Sequence, residues 1–195
     1  MAARALALLG FGVMLLSTAG CGGASLFGGQ PSPSPVTVES VNAAVENSTL
    51  ESAHYRASGT FVYRAYRFDV TGDGVLQLAP VLAFSMNLTL PIRGAPTFHY
   101  ISIRGRDYTR VNSGRWTSTP EAPTSSPAAP YVYVGEERVG GDLAWHIRSA
   151  DSSRAFDEWV RESDGYYVYM SVSDPKYSLA LAFDSYNQSP VITAP

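Results

Sequence analysis

Between Val81 and Leu90, large apolar side chains fall on every second residue: Leu82, Phe84, Met86, Leu88 and Leu90, with Val81, Ala83, Ser85, Asn87 and Thr89 between them. Side chains of a strand alternate between the two faces of a sheet. This period of two therefore predicts a strand with one continuous apolar side and one small, partly polar side. Ten residues run about 34 Å, roughly twice the common strand length. The pattern returns near the end of the chain, where Leu179, Leu181 and Phe183 alternate with Ser178, Ala180, Ala182 and Asp184. Such a sheet needs a cover for its apolar face.

The sequence offers few covers. Val38, Val41, Val45 and Ser48 recur at helical spacing, which predicts one amphipathic helix over residues 36–50, with Ser34 as its N-cap and Pro35 in the first turn. From His54 onward the chain is dense in strand-forming Tyr, Val, Phe, Thr and Ile. Asp73-Gly74 between apolar flanks predicts a hairpin turn, and so does Ser163-Asp164-Gly165. Residues 156–162 fit either a strand or a helix, since Phe156, Trp159 and Val160 also share a helical face. Thr117–Pro130 holds four prolines and no periodicity, the mark of a long surface loop that is either a lid or slack. The sheet can then be satisfied as a sandwich, as a filled barrel, or as an incomplete barrel plugged by the helix. Long strands favour the last. The expected class is α+β and mainly antiparallel: a strongly curved half-barrel with one N-terminal helix and a loop or helix lid over an apolar cavity. Leu82, Phe84, Met86, Leu88, Leu90, Met170, Leu181 and Phe183 are its candidate lining, or equally a conventional packed core. Met suits an adaptable pocket and an ordinary core alike.

The N-terminal residues assign a place to this domain. Arg4 is the sole charge ahead of an apolar run from Ala5 to Leu16, and Ser17-Thr18-Ala19-Gly20 leads to Cys21, the single cysteine. A basic start, a short apolar stretch and small residues form a secretory signal peptide, residues 1–20. With Cys21 directly behind Ala19-Gly20 the segment resembles the bacterial lipobox, although Leu is commoner than Thr18 at its position. That resemblance implies acylation of Cys21 and cleavage between Gly20 and Cys21. Acyl chains on one residue anchor a protein to a membrane without a spanning helix. Residues 21–35, rich in Gly, Pro and Ser, read as a tether, and 36–195 as one domain. The expected location is the outer face of the cell membrane, with the membrane reached through N-terminal acyl chains.

Composition and motifs narrow the function. The chain carries a formal charge of −3, and loss of Arg4 with the leader makes it more acidic; no cluster of cations of the kind that tracks phosphates stands out, so nucleic acid is not an expected partner. His54, His99 and His146 lack metal-ligand spacing and are expected on strand surfaces. No nucleophile elbow, zinc-protease or phosphate-loop motif is present. The adjacent carboxylates Glu136-Glu137 and Asp157-Glu158 point to opposite strand faces, so neither is an acid/base couple. The expectation is a non-enzyme without cofactor or metal.

Several segments together resemble the LolA-like superfamily, and within it the LppX/LprG group of cell-envelope lipoproteins. They are the helix followed by Ser52-Ala53-His54-Tyr55-Arg56-Ala57-Ser58-Gly59, the glycine-turned stretch Gly135 to Ile147, Glu158-Trp159-Val160 with Asp164-Gly165-Tyr166, and the ending Phe183-Asp184-Ser185-Tyr186-Asn187 with Val191-Ile192. The resemblance implies a half-barrel of about eleven strands with an apolar cavity for acyl chains. It also implies a monomer that carries a lipid, glycolipid or acylated protein within the envelope. The alternative, from a different class, is a sensor module that binds another envelope protein.

Overall fold

The computed structural model describes residues 35–63, 66–121, 130–150 and 154–195. Its one helix among the described residues, α1 (Val38–Glu46), is shorter than the sequence pattern suggests. The cap is Thr37, not Ser34: its hydroxyl accepts from the Ser40 amide, and the Ser40 side chain accepts from the Thr37 amide in return. At the other end Asn47 closes the helix with a backbone and a side-chain bond to the Ala43 carbonyl.

Eleven strands follow: β1 (Ser52–Tyr63), β2 (Tyr66–Gln77), β3 (Ala83–Thr89), β4 (Thr97–Ile103), β5 (Arg106–Val111), β6 (Thr117–Pro120), β7 (Tyr131–Val139), β8 (Asp142–Ala150), β9 (Ala155–Arg161), β10 (Tyr167–Asp174) and β11 (Tyr177–Asp184). All pair antiparallel in one open sheet, ordered β6-β5-β4-β3-β2-β1-β11-β10-β9-β8-β7. Two meanders are thus joined where the first strand meets the last. The two edges are β6 and β7, which are consecutive in the chain. Eleven strands laid flat would set them about 48 Å apart, whereas the eleven links from Pro120 to Tyr131 span at most about 40 Å. Those two residues also lie at opposite ends of their strands. The sheet has to curl, and it does. Tyr55 of β1 stacks on Phe84 of β3 at 5.3 Å and meets Phe183 of β11 edge-on at 5.6 Å. This is the curved half-barrel expected from the sequence.

Three local expectations need correction. Asp73-Gly74 is no turn: it lies inside β2, which pairs with β1 without a break from Ser52–Gln77 to Tyr63–Tyr66. Gly74 is glycine because a Cβ there would overlap the Tyr55 hydroxyl and the Ser85 carbonyl. The strand expected at 81–90 starts at Ala83 and ends at Thr89, because the Val81 carbonyl is held by Gln77 Nε2 at 2.7 Å outside the ladder. The longest strands are β1 and β2, each 12 residues. The segment from Thr117 is not loop throughout, since Thr117–Pro120 pairs with β5 as β6. Residues 122–129 of the Thr117–Pro130 segment read as lid or slack lie outside the described residues, as do Gly20, Cys21 and the tether up to residue 34. Residues 155–161 settle as strand, and the Asp164-Gly165 turn joins β9 to β10 as expected.

The chain end is tied to the start of the sheet. Asn187 accepts from the Glu51 and Ser52 amides and donates to the Thr49 carbonyl, while Ile192 is buried on the convex side against Ala83 and Ile103.

Candidate functional site

Register decides which residues share the concave face. Leu76, Phe84 and Ser102 lie abreast on β2, β3 and β4; Gly74, Met86 and Tyr100 form the next row, and Gly72, Leu88 and Phe98 the one after. From the other meander, Met170 pairs with Leu181 and Val172 with Leu179. The curl brings both sets into a single apolar cluster around Tyr55, which is fully buried, as is Met86 at 1 % exposure. Six of the eight lining candidates, Phe84, Met86, Leu88, Met170, Leu181 and Phe183, are buried in this cluster, and Leu90 is half-buried at its margin.

Leu82 is separate. It precedes β3, is 43 % exposed, and stands at a cavity of about 280 Å³ with Leu76, Phe84, Ile103, Arg104 and Glu121. That volume is at the lower limit of small-molecule pockets. The interior is therefore filled by its own side chains, with the cavity at one end of the strands. At the opposite end the packing loosens by degrees. Leu88 is buried, Leu90, Phe98, Phe61 and Tyr177 are half-buried, Val111 is 48 % exposed and Tyr66 70 %.

Polar groups on the concave face are few and specific. The Tyr100 hydroxyl donates to the buried Asp107 carboxylate at 2.7 Å, and burial together with that carboxylate raises the phenol far above its usual range. Glu158 of β9 pairs with Ile147 and Met170 and accepts from the Tyr131 hydroxyl at 2.9 Å. Desolvation pushes its pKa up to about 7 against the one hydrogen bond that favours the charged form. Glu158 stands between the large cluster and a smaller one in which Val41 of α1 packs on Ile147 and Val160. Neither Tyr55 nor Glu158 was singled out from the sequence as a site residue. A signal for Tyr55 existed: Ala53, Ala57 and Gly59 flank it at two-residue spacing, the small neighbours that a large central ring requires.

The convex face is of another kind. His146 was expected on the surface, but it is 4 % exposed, because Trp159 stacks on its ring at 4.1 Å. Its Nδ1 faces Glu137 Oε1 at 2.9 Å and its Nε2 faces Asp157 Oδ1 at 2.7 Å. Arg148 donates to the same Asp157 oxygen at 2.6 Å, and Trp159 Nε1 donates to Glu137. Asp157 and Glu158 do fall on opposite faces. Among the described residues, no group of three or more His, Cys, Asp or Glu side chains is placed to hold a metal ion.

No family model and no curated protein matches the chain. Among solved structures it is similar to the lipoprotein LppX of Mycobacterium tuberculosis, at 13 % identity and TM-score 0.47, over 80 % of this chain and 100 % of that one. It is similar to LprF of Mycobacterium bovis at 9 % and 0.44, over 82 % and 98 %, and to a LolA superfamily protein of Nitrosomonas europaea at 6 % and 0.40, over 81 % and 96 %.

Proposed function

We propose that the chain is a lipid-anchored envelope protein, held at the outer face of the cell membrane through Cys21, that takes a lipophilic molecule into its concave interior and passes it on. The observation that carries this reading is the apolar interior shared by both meanders, dense where Tyr55 and Met86 sit and opening gradually towards Tyr66 and Val111. An acyl chain entering there leaves water at about 25 cal/mol per Å² of apolar surface buried. Met86 and Met170, unbranched and polarisable, are the side chains best suited to move aside and re-pack against it. In this reading the work is physical: shielding, carriage and release.

The test is native mass spectrometry, with solvent extraction, of the protein purified from a lipid-rich host. An acyl lipid is expected to co-purify, and Leu90→Glu, at the half-buried margin, is expected to lose it while keeping the β-sheet circular dichroism of the parent. A folded protein free of lipid overturns the carrier reading.

One observation favours a second reading. The interior is packed, and among the described residues no strand pairs with the outer side of β7, where Val132 is 56 % and Val134 48 % exposed. A free edge of this kind accepts an extended segment of a partner as an added strand. A lipid-free result in the first experiment would move the function to a module that binds another envelope protein.

A further inference from the structure

Charge is divided between the two ends of the half-barrel. At the end where β1 meets β2, β3 meets β4, β5 meets β6 and β10 meets β11, the turns and flanking positions carry Arg67, Arg93, Arg115 and Lys176, all exposed. None of the four forms an ion pair among the described residues. Among the described residues the carboxylates nearest that end are Asp69, the fourth residue of β2, Asp157, the third of β9 and paired with Arg148, and Asp174, whose Oδ1 is taken up by the Lys176 and Tyr177 amides. The opposite end carries Glu51, Glu121, Asp142, Glu162, Asp164 and Asp184. Its cations are Arg104, Arg106, Arg138 and Arg161, the last of them paired with Asp142 and Asp164. An overall acidic chain thus keeps a cationic end.

Large apolar groups stand exposed among those cations: Tyr66 at 70 %, Ile92 at 42 % and Val111 at 48 %. Trp116 lies in the β5–β6 turn with Arg110 over its ring at 4.7 Å. Directly behind them are the half-buried Phe61, Leu90, Phe98 and Tyr177, the margin of the interior cluster. Guanidinium and ammonium groups spread over four hairpin tips match a plane of phosphates, and Tyr and Trp between them match the headgroup level of a bilayer. A protein partner with a folded acidic patch would need only a compact cluster of cations, whereas these are dispersed around a rim.

We propose that this cationic hairpin end docks on an anionic phospholipid surface, so that the loosened apolar margin of the interior opens against the bilayer. The inference rests on the carrier reading for its purpose but not for its test. Four cations on an anionic leaflet strengthen attachment several-fold each, so removing three of them weakens docking by about 100-fold and reversing their charge weakens it further. The docked state also falls with ionic strength.

The experiment places the acylated protein on vesicles containing brominated phosphatidylcholine, with or without phosphatidylglycerol, and follows tryptophan emission. Subtraction of the Trp116→Phe variant isolates Trp116 from Trp145 and Trp159. Trp116 is expected to be quenched when phosphatidylglycerol is present, to recover as salt is raised, and to stay unquenched in phosphatidylcholine alone. The triple variant Arg67→Glu, Arg93→Glu, Arg115→Glu is expected to abolish the quenching with unchanged circular dichroism, and the salt titration of the parent stands if that variant fails to fold. Protein that sediments with the vesicles while Trp116 remains unquenched, or is quenched equally on neutral lipid, overturns the inference. Co-purification of lipid in the earlier experiment would then still stand by itself.

Discussion

Along β9 and β10 the two faces of one sheet bury their residues by different means. On the concave side Phe156 and Val172 pair across the strands, with Met170 in the interior cluster that both meanders share. One residue along, on the convex side, Asp157 holds His146 and Arg148, and Glu137 closes the ring with Trp159. Dispersion contacts in the interior have no preferred direction and survive a change of partner. The convex bonds depend on distance and direction, and loss of either carboxylate leaves a donor without its partner. Both ring nitrogens of His146 face carboxylate oxygens. In the carrier reading the face that yields to a ligand is the apolar one, and the face behind it is polar and bonded.

The largest effect should come from forcing a side chain where the concave face has none. Gly74→Val would push Tyr55 from the centre of the cluster and break its bond to the Ser85 carbonyl, 2.5 Å in the parent. The expected loss exceeds about 4 kcal/mol, read as absence of a cooperative urea transition. A folded Gly74→Val with a normal transition would mean that Tyr55 is not the keystone of the interior.

On the convex face the comparable break is Asp157→Ala. It strands a buried imidazole and leaves Arg148 without its carboxylate, for an expected cost of about 3 kcal/mol in the midpoint of urea unfolding. Arg148 is half-exposed, which keeps the figure at the low end. Lipid loading per folded molecule should not change. If Asp157→Ala lost lipid while still folded, the division of labour between the faces would be wrong.

These two sites differ in how far they could be read from the sequence. The alternation in Leu82–Leu90 and Leu179–Phe183 announced one-faced strands, and Phe84, Met86, Leu88, Leu179, Leu181 and Phe183 of them stand in the concave cluster, because a period of two is local to a strand. The small neighbours of Tyr55 were visible too, yet Gly72 and Gly74 read as a turn. Their reason lies across the sheet, in the ring that β1 brings over them. The pairing of β1 with β2 runs on to Tyr63 and Tyr66 instead. His146 read as a surface residue for a similar reason. Its cover, Trp159, comes from β9, and only the β8–β9 register, His146 opposite Trp159, puts the two rings together. Periodicity reports the face a residue is on; it is silent on what the next strand places beside it.

Glu158 sharpens the comparison, since it places a carboxylate on the face that otherwise avoids charge. With its pKa raised to about 7 in the folded protein and near the ordinary carboxylate value when unfolded, the folded state binds the proton more tightly between those values. Stability should therefore fall as pH rises from about 4.5 to about 7 and level off above, by about 2 to 3 kcal/mol in all. Glu158→Gln, which keeps the acceptor for the Tyr131 hydroxyl, should flatten that slope and be more stable than the parent at pH 8. Urea titrations at a series of pH values would read both. Because Glu158 stands between the cluster under α1 and the main interior, its ionisation loosens the seam rather than either cluster. Hydrogen exchange in β9 and β10 should then quicken with pH beyond the intrinsic rate, while β2 and β3 follow the intrinsic rate alone. Equal acceleration in all four strands would instead assign the pH dependence to the whole fold, and remove Glu158 as the point where the concave face is designed to give.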